Sequence, residues 1–335
     1  MHPSTSSGTT TTFNDVIQPG AVLITGGTGS FGSAFASLLL SDPLGPRVRV
    51  YSRDEQKQYA MQSACPVGPR LTYIIGDVRD ERALTVAADR CAAIVHAAAL
   101  KIVPQGERHA SEFVETNING AANVCEAAIV NHIPKTLFIS SDKAVQPINH
   151  YGKTKATAEG IVTASNSRGV SRGCLFASVR GGNVWGSRGS VVESWKAARA
   201  GGNPIVVHDP SATRFYLRMS DWTAFCQRAL SEMRGGEIFV PKCRAWRLSD
   251  LAEAFGGSVR MNGNRAGDKQ HEVMIAPDEI GRTVDIDWAY VIEPSEDFRR
   301  VWDYQAREGM RLIDGMSYSS DRVERMSVEE LEGLI

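Results

Sequence analysis

No apolar run in this chain approaches the ~20 residues that cross a bilayer; the longest are short segments such as AVLI and CAAIVHAAAL. A dominant charge is missing too, since 37 Lys and Arg against 38 Asp and Glu leave a formal net charge of −1. That balance exerts no general pull toward nucleic acid or an anionic membrane surface. Cysteine is sparse and scattered. Cys65, Cys91, Cys125, Cys174, Cys226 and Cys243 form no C-x-x-C pair, which argues against a disulfide framework and a zinc site. The expectation is reduced thiols in a cytoplasmic protein without a metal. The opening MHPSTSSGTTTTFND lacks the basic-then-apolar order of an export signal. Rich in Ser and Thr, it cannot bury enough apolar surface to offset its ordering, so residues 1–17 read as a disordered tail. No internal repeat or long low-complexity linker follows.

What is present points to an α/β protein. At 335 residues, with 42% hydrophobic, the chain can bury a full core as one large unit or two unequal domains. From Ala21 it reads AVLITGGTGSFGSAFASLLLSD. A short apolar strand, Ala21 to Thr25, runs into a glycine-rich turn, and an apolar-periodic helix follows from about Phe31. Gly26, Gly29 and Gly32 make a G-x-x-G-x-x-G spacing, a variant of the dinucleotide fingerprint. Without Cβ atoms they let the backbone approach a pyrophosphate seated at the positive end of the helix. Thr28, Ser30 and Phe31 belong to the same turn and join the candidate cofactor contacts.

The next strand, RVRVYSRDE, ends in Tyr51-Ser52-Arg53, where an NAD-binding fold places an acid. The Ser52 hydroxyl and the planar Arg53 guanidinium suit a 2′-phosphate, so NADP is expected over NAD. In the competing reading Arg53 is merely solvated and Asp54 takes the ribose. Further strands stand at LTYIIGDVRD, AAIVHAAAL and TLFISSD. Asp77, followed by Val78, closes the first of these, where its carboxylate could accept from an adenine amino group. An ordinary turn aspartate is the equal alternative. Ala97, Ala98 and Ala99, just past the second strand, are counted with the cofactor contacts. Alternating strands and helices indicate a doubly wound parallel sheet with ligands at the carboxyl ends of its strands. Residues 18–181 read as a Rossmann NADP-binding domain and 182–335 as mainly a smaller substrate-binding domain, with about 214–242 returning to the first.

The stretch ISSDKAVQPINHYGKTK holds the candidate chemistry. Pro147 and Asn149 mark a turn and a helix start, with helix from about Tyr151 through Glu159. Residues four apart share a helix face, so Tyr151 and Lys155 can address one cleft. A free tyrosine has a pKa near ~10, and ionising it at neutral pH costs roughly 4 kcal/mol. A nearby ammonium and a positive nicotinamide ring both favour the phenolate, which then accepts a hydroxyl proton. Asp142 and Lys143 stand just upstream. On a regular strand such neighbours point to opposite sides, so both can act only if the strand has broken here.

TGGTGSFG together with YxxxK resembles the extended, nucleotide-sugar-modifying branch of the short-chain dehydrogenases/reductases. More narrowly, the chain is similar to the soluble inverting UDP-N-acetylglucosamine 4,6-dehydratases. The matching segments include YSRDEQKQ, IIGDVRD, HAAALKIVPQGE, SSDKAVQPINHYGKTK, GNVWGSRGSVV, TRFYLRMSD, GDKQHEVMI and YSSDRVERMSVEELEGLI, running from about residue 20 to the carboxyl end. The resemblance implies NADP that stays bound and is recycled, with Asp142 the acid at C6, Lys143 the base at C5, and Tyr151 and Lys155 serving C4. It implies Lys101, Asn183, Arg188, Ser190, Arg214, Arg247 and Glu272 on the substrate side, and a homo-oligomer. The tyrosine at 151, where membrane-linked C5-retaining relatives carry methionine, implies inversion at C5. His271-Glu272 has the look of metal-ligand material, yet no second histidine stands at zincin spacing, and the pair reads as structural or substrate-side.

Some positions depart from the family pattern. Gly181 stands in place of a tyrosine, Val145-Gln146 of Ala-Asn, His109-Ala110 of Asn-Pro, and Ala245-Trp246 of a small residue and Met. The catalytic set survives, so the reaction type is better specified than the sugar. Two rivals remain: an epimerase or dehydrogenase in which Lys143 has no role, and a catalytically silent NADP-binding regulator.

Overall fold

The structure, a computed structural model, describes Phe13, Ile17 and residues 20–64, 68–263, 265–312 and 317–335. The tail expected over 1–17 lies outside the described residues except for Phe13 and Ile17, and Ile17 is fully buried in the core. Cys65 also lies outside them.

Five βα repeats open the chain: β1 (Ala21–Thr25), α1 (Ser30–Ser41), β2 (Arg47–Ser52), α2 (Glu55–Ala64), β3 (Leu71–Ile75), α3 (Glu81–Ala88), β4 (Cys91–His96), α4 (Gly120–Val130), β5 (Lys135–Ser141) and α5 (His150–Gly169). They are followed by β6 (Leu175–Gly181), α6 (Met219–Glu232) and β7 (Ile238–Pro241). The seven strands are parallel in the order β3-β2-β1-β4-β5-β6-β7. Three antiparallel strands continue the sheet beyond β7, namely β9 (Ala289–Ile292), β8 (Thr283–Asp285) and β10 (Met310–Arg311).

The doubly wound arrangement follows from the strand sequences. β1 reads AVLIT with every residue buried, the continuous apolar run of a strand covered on both faces. Alternate side chains divide between two cores. Val22 and Ile24 meet Phe35 and Leu39 of α1 and Leu230 of α6. Ala21 and Leu23 meet Leu84 of α3 and Val124 and Ala128 of α4. Between β1 and β4 the order of strands reverses, and such a switch point opens a crevice at the carboxyl ends.

Beside that crevice sits a smaller assembly. Asn183–Val184, Thr213–Leu217 and Ala245–Arg247 form a three-stranded sheet, over which Trp185 meets Tyr216 and Trp246 edge-on at 5.6 and 6.5 Å. Two ties fasten the parts. Arg180 of β6, 4% exposed, lies between Glu159 of α5 and Glu279 of the carboxyl-terminal part. A π-helical turn, Val114–Asn119, precedes α4. Its Asn117 accepts from the Leu100 amide at 2.8 Å and donates to the Leu100 carbonyl and Thr154 Oγ1, both at 2.9 Å. Among the described residues, no helix is long and apolar enough to cross a membrane.

Candidate active site

The glycine turn forms the floor of the crevice. Gly26 adopts φ +66°, and a Cβ there would lie 2.7 Å from the Ala98 nitrogen, so turn and β4 loop meet backbone to backbone. The first turn of α1 follows Gly29, which offers no side chain to cap it, leaving its amides for a ligand. Two cavities meet above this floor, sharing Gly26, Gly29, Ala97 and Ala99. The first, about 250 Å³, is lined by Thr28, Ser52, Arg53, Asp77, Val78 and Ala98 as well. The second, about 490 Å³, adds Ser30, Phe31, Gly32, Lys101, Asp142, Lys143, Tyr151, Asn183, Arg188 and Ser190. An uncapped helix end between two joined cavities fits a dinucleotide whose pyrophosphate crosses the glycines.

At the nucleoside end, Arg53 lies 3.5 Å from Asp77, which Arg79 also holds at 2.7 Å. Asp54 is engaged by Lys57 at 2.6 Å. Across the floor, Arg188 donates to the Thr28 carbonyl at 2.6 Å and Lys101 to the Arg188 carbonyl at 3.1 Å. Ser190 caps the helix Val191–Ala200 by accepting from the Glu193 amide.

The strand break required at the Asp-Lys pair is present. β5 stops at Ser141, whose hydroxyl accepts from the Lys143 amide, and Asp142–Ala144 form a 3₁₀ turn. Both neighbours therefore line one wall. Asn149 caps α5 by accepting from the Gly152 amide at 2.8 Å. A Cβ on Gly152 would strike the Lys143 carbonyl, so the Tyr-bearing helix begins directly against the Asp-Lys turn.

Asp142 is 1% exposed; its Oδ1 accepts from Ser141 Oγ at 2.8 Å and Lys143 Nζ at 3.1 Å. Burial, the largest effect, raises its pKa and favours the neutral acid. Lys143 Nζ is also 3.2 Å from Glu272 Oε1. Burial works toward a neutral amine, but the two carboxylates outweigh it and hold Lys143 above the usual lysine range. Tyr151 is raised by burial, with Lys143 and then the Ser141 hydroxyl acting against it. The ammonium that bears on the phenol is thus Lys143. Lys155 points elsewhere: its Nζ donates to the Ile139 carbonyl at 2.6 Å and lies 3.9 Å over the Phe138 ring. Burial lowers it to about 7, with Glu159 opposing.

Lys155, Arg214, Arg247 and Glu272 do not line either cavity. Arg214 and Glu272 lie behind Lys143, 3.7 Å from each other. Ser141, Met219 and Trp222 line the larger cavity without having been singled out in the sequence. Ser141 adjoins the Asp-Lys pair and was within reach of motif reasoning; Trp222 arrives from a helix far along the chain. Its position bears on Gly181, where a Cβ would lie 2.8 Å from the indole. The tryptophan fills the space that a side chain at 181 would need.

A glycine-turn Rossmann sheet with Tyr151 and Lys155 beneath its crevice defines the framework of the extended short-chain dehydrogenases/reductases. The chain belongs to the family described as Polysaccharide biosynthesis protein, which it matches over residues 22–294. It is 39% identical over 308 residues to UDP-N-acetylglucosamine 4,6-dehydratase (inverting) of Campylobacter jejuni subsp. jejuni serotype O:2, covering 90% of this chain and 92% of that one. It is 35% identical over 324 residues to UDP-glucose 4-epimerase of Rickettsia akari, covering 94% of each. Pen from Bacillus thuringiensis, a solved structure, superposes with a TM-score of 0.88 at 32% identity over 95% of this chain and 97% of its own. The dTDP-glucose 4,6-dehydratase DesIV from Streptomyces venezuelae shares the fold, with a TM-score of 0.68 at 20% identity over 87% and 93%. The chain is an enzyme of this kindred.

Proposed function

We propose that this protein is an NADP-dependent nucleotide-sugar 4,6-dehydratase acting on UDP-N-acetylglucosamine with inversion at C5. The observation that carries the reading is that Asp142, Lys143 and Tyr151 line one cavity. Oxidation alone needs only the phenol; loss of water needs an acid and a base besides. The 39% identity to an inverting dehydratase supports the same reading.

The chemistry a bound nicotinamide supplies is reversible hydride exchange, with C4 and later with C6 of the hexose. Gly26, Gly29 and the first amides of α1 would hold the pyrophosphate, and Ser52 and Arg53 would favour a 2′-phosphate because Asp54 is occupied by Lys57. Tyr151 takes the proton of the C4 hydroxyl as its phenolate, the form that Lys143 and Ser141 favour against burial. Once C4 is a ketone, the C5 hydrogen is acidic and Lys143 removes it. Asp142, whose burial favours the neutral acid, gives its proton to the C6 hydroxyl, which departs as water. Solvent then protonates C5 from the opposite face. Lys155 acts from below, where its ammonium is close enough to neutral pH to exchange protons readily. Residues 182–335 supply most of the substrate side through Asn183, Arg188 and Ser190. Asn183 Oδ1, buried without a protein partner, is available to a sugar or phosphate donor. The free cysteines suit the cytoplasm, and a homo-oligomer is expected by light scattering.

The test is NMR of purified enzyme with UDP-N-acetylglucosamine in D2O. A C6 methyl signal with deuterium at C5 is the expected product, and a sugar that keeps its C6 hydroxyl refutes the reading. A second reading, 4-epimerase, is favoured by the 35% identity to the Rickettsia akari enzyme. Full turnover in Lys143→Ala would select it, because epimerisation makes no use of a C5 base.

A further inference from the structure

Lys143 must reach C5 without its proton, yet its surroundings hold that proton in place. Nζ stands 3.1 Å from Asp142 Oδ1 and 3.2 Å from Glu272 Oε1. A carboxylate at Glu272 stabilises an ammonium and does not make a base, and Asp142 Oδ1 accepts from the same Nζ. Glu272 is 2% exposed, lies outside the cavity lining, and reaches the site through its ion pair with Lys143. Its backbone is clamped, for its amide donates to Ser320 Oγ at 2.9 Å and its carbonyl accepts from the Ser320 amide at 2.8 Å. Among the described residues its Oε2 is buried with no hydrogen-bond partner, as is Asp142 Oδ2. Buried carboxylate oxygens are normally satisfied, so an open one has room for a proton.

We propose that Glu272 is a positioning residue that holds Lys143 and takes up its proton once C4 has been oxidised. The inference rests on the dehydratase reading and adds to it the destination of the proton. In the resting state of the proposal Asp142 carries the proton that its burial favours, Lys143 is an ammonium and Glu272 is ionised. Passing one proton from Nζ to Glu272 gives three neutral groups. Elimination breaks C5–H and C6–O and forms the C5–C6 double bond. The C5 proton goes to Lys143 and the Asp142 proton leaves with the water, so Asp142 ends ionised and Lys143 charged. Reset runs along the same line, from Lys143 to Asp142 and from Glu272 to Lys143. The three groups sum to zero charge at every stage, which a buried site requires.

The charges around Glu272 suggest a trigger. Burial raises its pKa, but Lys143, Arg214 and Lys269 outweigh burial and hold it low, while Asp142 and an ionised Tyr151 stand on the other side. Arg214 Nε is 3.7 Å from Oε1. Any loosening of this contact weakens the hold on the carboxylate and makes Glu272 a better proton acceptor.

The experiment compares wild type, E272Q and E272D, each loaded with NADP+, in single turnovers with UDP-N-acetylglucosamine in D2O. Reduced-nicotinamide absorbance reports C4 oxidation, and NMR reports deuterium at C5 and loss of the C6 hydroxyl. Glutamine keeps the shape and an acceptor for Lys143 but cannot store a proton. E272Q should reduce the dinucleotide with wild-type amplitude and then stall. C5 exchange and dehydration should slow about 100-fold or more, reduced dinucleotide should accumulate, and E272D should recover part of the rate. The E272Q rate should climb with alkaline pH, as solvent takes the Lys143 proton. Equal rates in E272Q and wild type, or equal slowing of oxidation and dehydration, overturn the inference. Wild type that oxidises C4 but keeps the C6 hydroxyl overturns the dehydratase reading and the role of Glu272 together, so the two failures are told apart. Should E272Q fail to bind NADP+, E272D decides: slowing confined to C5 exchange supports the role, and an unchanged division between the steps refutes it.

Discussion

Replacing Arg180 by methionine isolates the cost of stranding buried charge. The guanidinium donates to Glu159 through Nε at 3.0 Å and Nη2 at 2.8 Å, to Glu279 through Nη1 at 2.7 Å and Nη2 at 2.8 Å, and to the Met274 carbonyl at 2.9 Å. Both carboxylates lie in the interior, Glu159 at 5% and Glu279 at 7% exposure. Methionine fills much of the volume and, among the described residues, leaves Glu159 without an ion-pair partner and Glu279 with only Arg282 at 3.6 Å. Breaking such a pair from one side costs about 3–5 kcal/mol. With 335 residues at about 2.1 cal/mol/K each, the unfolding entropy is about 0.7 kcal/mol/K, so the melting temperature should fall by about 4–7 °C. Differential scanning fluorimetry of R180M measures it. The triple variant R180M/E159Q/E279Q removes the stranded charge and should recover part of the loss. A single variant melting within about 1 °C of wild type, or a triple variant no more stable than the single, would refute the argument.

Two other perturbations test separate features. R53D should weaken NADP+ relative to NAD+ by about 10-fold or more, the loss of one charge-assisted contact, as measured by calorimetry; unchanged selectivity would remove Arg53 from the cofactor site. His96 donates to or accepts from Thr25 Oγ1 at 2.6 Å, and burial, followed by Lys155, lowers its pKa from 6.5 to about 3. Between those values the unfolded chain binds the extra proton, so stability falls as pH falls from 6.5 toward 3 and is independent of this group above that window. The loss approaches 1.4 kcal/mol per pH unit. The gap in stability between wild type and H96N should therefore change across that window in urea melts, and parallel pH curves would contradict the assignment.

The sheet was largely legible because its signals are local. Ala21–Thr25 forms the strand that its apolar run predicts, and α1 starts at Ser30, one residue from expectation. Asn149 caps the Tyr-bearing helix as its residue type suggests, although the helix runs on to Gly169, past the Glu159 to which the sequence carried it. The need for a broken strand at Asp142-Lys143 was a geometric deduction, and the 3₁₀ turn meets it. What stayed hidden depends on contacts between distant parts. Nothing in GDKQHEVMI shows that Glu272 closes on Lys143, nor does any spacing place Trp222 against Gly181. Tyr151 and Lys155 stand four apart on one helix, yet that spacing cannot show that the Ile139 carbonyl and the Phe138 ring claim the lysine, which lines neither cavity.

The π-helical turn at Val114–Asn119 carries one residue more than an α-helix of the same rise would. Deleting it would swing every later side chain of the segment by about 100°. Asn117 would then release the loop that bears Leu100 and Lys101 from the helix that carries Tyr151. That single surplus residue works as a dowel between the cofactor floor and the phenol, so length changes among descendants of this chain should accumulate everywhere in the connection except there.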